Sequence, residues 1–138
     1  MKRFHLIFGL LAVIVFLLTG KYMDLYLEHL RGMPDGPRML YRTRHIFILL
    51  AGLLNVGIGT YFRPQALPER RIMQMLGSVF IVLATVLFVG GFFYEPKLKD
   101  LKTPLSHWGM YAILAGTFLQ LLSGLGPRGA ISKGMDRG

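Results

Sequence analysis

The sequence predicts an all-α integral membrane protein with four transmembrane helices. Hydrophobic residues make up 53% of the chain and charged residues 17%, whereas about a quarter of the residues in soluble proteins are charged. Four stretches contain no Asp, Glu, Lys or Arg: residues 4–20, 46–62, 72–94 and 103–127. Each approaches the roughly 20 residues that a helix needs to cross the hydrocarbon core. Short connections favour a single domain over 1–138, built as an up-down-up-down bundle.

Glycine and proline positions predict the ends of the first two helices. Helix 1 is expected over residues 3–31, because Gly32 can follow a helix end and Pro34 cannot continue one. Helix 2 is expected over residues 37–62, with Pro37 in its first turn. The apolar run after MKRFH ends without a small-x-small cleavage site, which indicates a retained span rather than a signal peptide.

The second half of the chain predicts two more helices and a tail. Helix 3 is expected over residues 68–94, ending before Pro96, and helix 4 over residues 104–123, with Thr103 as its cap. Residues 127–138 are expected to form a flexible C-terminal tail. Helices 1 and 2 should be longer than helix 4 and should extend beyond the membrane as a hairpin.

Charged residues lie on both flanks of this predicted hairpin. Symmetric folding of the hairpin places Glu28 near Arg42 or Arg38, and Asp24 near Arg44 or His45. Partly exposed ion pairs of this kind contribute at most about 1 kcal/mol each. They would join the two helices without dominating the stability of the fold.

Three histidines are expected on one side of the membrane, where they are candidate metal ligands. A b-type haem would take His45 and His107 as axial ligands. A copper or zinc site would recruit His29 as well, with Met110 as a soft ligand for copper. The structural alternative is a hydrogen bond between His45 and Asp24. In each case His45 should point into the bundle, because unpaired ring nitrogens are costly in hydrocarbon.

The polar and small residues within the spans favour helix packing over catalysis. Asn55 in helix 2 and Gln120 in helix 4 carry amides, which usually bond a neighbouring helix at such depth. Gly52 and Gly116 are small enough to let two helices approach closely. The polar residues expected at depth are not ionisable, which argues against a proton-driven carrier.

These patterns lead to one functional hypothesis and two alternatives. The leading hypothesis is a small membrane protein that acts through helix association, as an accessory subunit or a self-assembling bundle. The alternatives are a haem- or metal-binding redox protein and an enzyme acting on a lipid-phase substrate. The net charge of +9 fits Lys and Arg side chains that meet lipid phosphates, so nucleic acid is not an expected partner.

The expected location is a bacterial inner membrane, with both termini on the same side. In the predicted topology Lys and Arg are equally numerous on the two sides of the membrane, so the positive-inside rule alone does not orient the chain. A cytoplasmic position for both termini is the orientation we expect.

Overall fold

The regular secondary structure of the described residues consists of helices alone. The computed structural model describes residues 1–61, 63–98, 100 and 102–125, so the predicted tail lies outside the described residues. The helices are α1 (Lys2–Leu25), α2 (Asp35–Tyr61), α3 (Pro68–Tyr94) and α4 (Pro104–Gly124). Three segments, Lys2–Leu25, Asp35–Tyr61 and Pro68–Lys97, are long and apolar enough to span a membrane. The prediction of an all-α chain with four helices is therefore confirmed.

α1 ends at Leu25, earlier than the predicted Arg31, because the chain then makes a tight left-handed turn. The φ angles of Glu28, His29 and Leu30 are 46°, 57° and 62°. Left-handed backbone costs about 1–2 kcal/mol for each non-glycine residue. The turn returns Leu30 to the core, where its side chain is buried. α1 is still longer than α4, with 24 residues against 21.

The helices pack as two antiparallel hairpins, α1 with α2 and α3 with α4, which meet mainly through α2 and α3. Glycines permit the closest contacts within each hairpin. A Cβ atom added to Gly59 would lie 2.5 Å from the backbone nitrogen of Leu6, and one added to Gly77 would lie 2.8 Å from the carbonyl oxygen of Gly116. At these positions there is no room for a side chain, so glycine sets the distance between the helices.

The hydrophobic core is one cluster of buried side chains from α2, α3 and α4, in which α3 lies between the other two helices. Ile48 of α2 and both Phe88 and Phe92 of α3 are fully buried, and Ile113 of α4 is nearly so. The ring of Tyr41 meets the ring of Phe92 edge to face, with centroids 5.3 Å apart. The side of α2 that faces α3 is therefore shielded from the surroundings.

The two hairpins are offset along their axes. Met1 lines the same groove as Ser78, so the start of α1 lies level with the middle of α3. Residues 68–77 of α3 continue for about 15 Å beyond this level. α4 accompanies them, and the Gln120 side chain donates a hydrogen bond to the carbonyl oxygen of Gln74.

Candidate functional site

A buried ion pair joins the two hairpins just beyond the end of α3. Arg44 donates from Nε to Oε2 of Glu95 over 2.6 Å. Ser106 donates twice to the same carboxylate, from its backbone nitrogen to Oε1 over 2.8 Å and from Oγ to Oε2 over 2.5 Å. Glu95 is fully buried and Arg44 is only 5% exposed. We name Arg44, Glu95 and Ser106 the junction cluster, because they connect α2, α3 and α4.

The side chain of Glu95 also caps the N-terminus of α4. Thr103 occupies the N-cap position, but its side chain makes no capping hydrogen bond. Ser106 is the third residue of the helix, and its backbone N–H is one that a cap side chain normally binds. The carboxylate of Glu95 binds it instead, and its negative charge is favourable at the positive end of the helix dipole. Gly91 leaves room for this contact, since an added Cβ would lie 2.9 Å from Ser106 Oγ.

A second polar cluster, the amide network of His5, Asn55 and Thr85, joins α1, α2 and α3. Asn55 accepts a hydrogen bond from His5 Nδ1 over 2.8 Å and donates to Thr85 Oγ1 over 3.0 Å and to the carbonyl oxygen of Ala51 over 2.9 Å. The Thr85 hydroxyl donates to the carbonyl oxygen of Ile81. His5, Asn55 and Thr85 are all at most 2% exposed. The network therefore links three helices at a site closed to the outside.

His45 contacts α1, and its partner is Thr19 rather than the predicted Asp24. Its Nδ1 lies 2.9 Å from Thr19 Oγ1, and its ring stacks on Phe16 with centroids 4.0 Å apart. Because Thr19 donates its one hydroxyl proton to the carbonyl oxygen of Phe16, the Nδ1–H of His45 is the donor in this hydrogen bond. The ring thus points into the hairpin of α1 and α2. His107, by contrast, is exposed on α4.

The described contacts do not bring the candidate metal ligands together. The hydrogen-bond partner of His107 is Thr103, one turn earlier on the chain. Met110 packs against the hydrophobic core, and His29 Nδ1 contacts the carboxylate of Asp24 near the protein surface. Within the described ranges no group of three or more His, Cys, Asp or Glu side chains could hold a metal ion.

Different ion pairs replace those predicted for the hairpin. Arg44 pairs with Glu95 instead of Asp24. Glu28 and Arg42 are both exposed, and neither has an ion-pair partner among the residues that the structure describes. The predicted register assumed that helix 1 continues to residue 31. The left-handed turn at Glu28–Leu30 ends that register before the two flanks can pair.

The other residues expected to mediate packing lie at contacts between helices. Gln120 donates from Nε2 to the carbonyl oxygen of Gln74 over 2.9 Å, which links α4 to α3. A Cβ added to Gly52 would come within 3.3 Å of α1, and one added to Gly116 within 2.8 Å of the backbone of α3. The contact of Gly52 stabilises the hairpin of α1 and α2, and the contacts of Gly116 and Gln120 stabilise the hairpin of α3 and α4.

Sequence reasoning missed Glu95, Ser106 and His5. For Glu95 the signal is an acidic residue that directly follows the apolar stretch 72–94. A charge at the end of a span ordinarily points to the headgroups, so this signal alone does not predict an inward ion pair. His5 stands beside two basic residues at the start of the chain, where a polar anchor is the usual interpretation.

The chain matches no protein-family model, no curated protein and no solved structure. Its function must therefore be argued from the chemistry of its own residues. The described hydrogen bonds of the junction cluster and the amide network hold helices of one chain against each other. Both clusters therefore hold the helices in place. The outer surfaces of the helices remain available for contacts with lipid or with other proteins.

Proposed function

We propose that the protein is an integral membrane protein of four transmembrane helices that acts through helix association, as an accessory subunit or a self-assembling bundle. α4 supplies the fourth span in this proposal. Its 21 residues extend for about 31 Å, and none of them is Asp, Glu, Lys or Arg. α4 also packs closely along α3, an apolar helix with the length of a span.

The observation that carries the proposal is the outer face of α1. Only 17% of the apolar window of α1 is buried, against 33% for α2 and 39% for α3. Opposite its buried face lies a row of aliphatic side chains, each at least half exposed, which we name the α1 stripe: Ile7, Leu11, Ile14 and Leu18. Their spacing of four, three and four residues is typical of helices that pack side by side.

Contacts elsewhere in the fold hold α1 in a fixed position, which favours association through its outer face. The close glycine contacts hold α1 firmly against α2, and the junction cluster and amide network hold α2 against α3. A stripe on a fixed helix loses little freedom when a second helix packs on it. In lipid, complementary packing of side chains is a main contribution to helix association. Leucine and isoleucine at this spacing can interdigitate with the same residues of a partner helix.

Single-cysteine crosslinking in membranes tests the proposal. The chain has no cysteine, so each introduced thiol is unique. Leu11→Cys and Ile14→Cys in the α1 stripe should give disulfide-linked products on mild oxidation, because a disulfide forms only when two Cα atoms come within about 7 Å. Ala12→Cys is the matched control, since Ala12 is buried against α2 between these two positions.

The masses of the products separate the two forms of the proposal. A product of twice the monomer mass indicates self-association, and a different mass indicates another membrane subunit that carries a cysteine at the contact. Leu121→Cys on the outer face of α4 gives the level of random collision. Crosslinking at Leu11 and Ile14 that does not exceed the level at Leu121 would overturn self-association through the α1 stripe.

We further propose that this membrane is a bacterial plasma membrane, with both termini cytoplasmic. The acidic residues support this orientation modestly, because five of the seven lie on the opposite side in the predicted topology. A membrane-impermeant maleimide added to intact cells should label Lys102→Cys and spare Arg63→Cys. Labelling of Arg63→Cys alone would reverse the orientation.

A further inference from the structure

An apolar groove lies between the start of α1 and the middle of α3. Its volume is about 330 Å³, and its lining includes Phe4 of α1 and the side chains of Val79, Val82 and Val86 of α3. The three valines follow at intervals of three and four residues, so they share one face of the helix. This face extends for about 10 Å along α3.

The face of α3 that lines the groove ends in a positive charge. Steps of four residues lead from Val79 back to Met75 and then to Arg71, both of which are exposed. Arg71 has no ion-pair partner in the part of the chain that the structure describes. Lys2 and Arg3, also exposed, occupy the first turn of α1 at the same end of the groove. The groove is thus apolar along its length and basic at one end.

We propose that the groove binds an acidic phospholipid. One acyl chain lies along the valines of α3, and the headgroup phosphate lies between Arg71 and Lys2. The apolar lining fits a hydrocarbon chain, and basic side chains at a membrane interface attract anionic headgroups. An acidic lipid also matches the charge at this end, whereas a zwitterionic lipid would bring its own positive group. The inference rests on the membrane setting of the proposed function and is independent of the α1 stripe.

Native mass spectrometry of the full chain in detergent tests this site. The protein is titrated with phosphatidylglycerol and, in parallel, with phosphatidylcholine that carries the same acyl chains. The wild type should bind one phosphatidylglycerol in clear preference to phosphatidylcholine. Arg71→Gln should weaken phosphatidylglycerol binding about fivefold and leave phosphatidylcholine unchanged, since one basic residue at a membrane surface contributes about that factor.

Two further variants separate the groove from general charge effects. Val82→Trp fills the groove and should abolish the preferred lipid adduct. Retention of the helical circular dichroism and of the fluorescence of Trp108 establishes that this variant folds. Arg42→Gln removes an exposed, unpaired arginine at the opposite end of the bundle and should bind phosphatidylglycerol as the wild type does.

Three results would overturn the lipid site. The first is equal binding of the two lipids by the wild type. The second is unchanged phosphatidylglycerol binding in Arg71→Gln, or a loss in Arg42→Gln as large as that in Arg71→Gln. The third is a dimer in the wild type that Val82→Trp dissociates, which would assign the groove to a second copy of the chain. Each of these can occur while the α1 stripe still crosslinks, so failure of the lipid site differs from failure of the proposed function.

Discussion

Replacing Glu95 with glutamine should destabilise the protein more than any other single change of charge in the described residues. The substitution keeps the shape of the side chain but leaves the positive charge of Arg44 without its counter-ion. Glu95 is fully buried and the side chain of Arg44 is 6% exposed, so water cannot take over the lost interaction. Breaking a buried pair in this way costs about 3–5 kcal/mol. The retained acceptor for the Ser106 backbone N–H puts the expected cost near 3 kcal/mol, at the lower end of that range.

A double-mutant cycle isolates the pair. Arg44→Met alone should cost less than Glu95→Gln, because the carboxylate keeps both donors from Ser106 and can take up a proton, whereas a guanidinium cannot lose one. Adding Arg44→Met to Glu95→Gln removes the unpaired charge. The double variant should therefore recover about 1–3 kcal/mol relative to Glu95→Gln alone.

The assay is reversible unfolding in mixed detergent micelles, followed by circular dichroism and by tryptophan fluorescence. The chain has one tryptophan, Trp108, which lies two residues beyond Ser106 and so reports directly on α4. Glu28→Gln is the control, because Glu28 is an exposed carboxylate without an ion pair among the described residues, and its change should stay within about 0.5 kcal/mol. A Glu95→Gln protein as stable as this control, or a double variant no more stable than Glu95→Gln, would show that the buried ion pair does not stabilise the fold.

Three further predictions concern helix contacts, each measured by the same unfolding assay. Gly59→Ala should destabilise the protein by about 1–3 kcal/mol, because its Cβ would lie 2.5 Å from the backbone nitrogen of Leu6. Gly57→Ala on the same helix is the control, since its Cβ would have no atom within 4 Å and should not destabilise the protein; equal effects of the two changes would contradict the predicted contact. Asn55→Ala should cost about 1–2 kcal/mol through the loss of two interhelical hydrogen bonds, and a neutral result would show that the amide network contributes nothing. Ser106→Ala should destabilise the protein by about 1.5–3 kcal/mol, the range for a hydrogen bond to a charged group, and should shift the fluorescence of Trp108. Unchanged stability and an unchanged spectrum would show that the Ser106 hydroxyl does not stabilise the junction cluster.

The helices were predictable because their signals are local. Apolar stretches of span length and prolines at first-turn positions are properties of neighbouring residues, and Pro68 and Pro104 do begin α3 and α4. The end of α1 was not predictable in the same way. Gly32 and Pro34 set the latest position at which helix 1 can end. The helix ends earlier because a turn before Leu30 buries that side chain in the core, despite the left-handed backbone of the turn.

The junction cluster depends on contacts between residues far apart in the sequence. Arg44 and Glu95 both adjoin apolar stretches, where a charged side chain can reach the headgroups as easily as the interior. The direction of each side chain depends on which faces of α2 and α3 pack together. The local sequence pattern does not specify those faces. The same limit applies to His45, whose inward orientation was predicted while its partner, Thr19, was not.

The proposed function is the association of this protein's helices with those of another chain. It is tested by the mass of the protein when it is extracted from its own membrane in lipid nanodiscs without detergent. We expect an assembly, either a multiple of the 15.6 kDa chain or that chain with a second subunit, and we expect it to separate when Ile14 of the α1 stripe is replaced by asparagine. A wild-type protein present only as a 15.6 kDa monomer would overturn the proposed function.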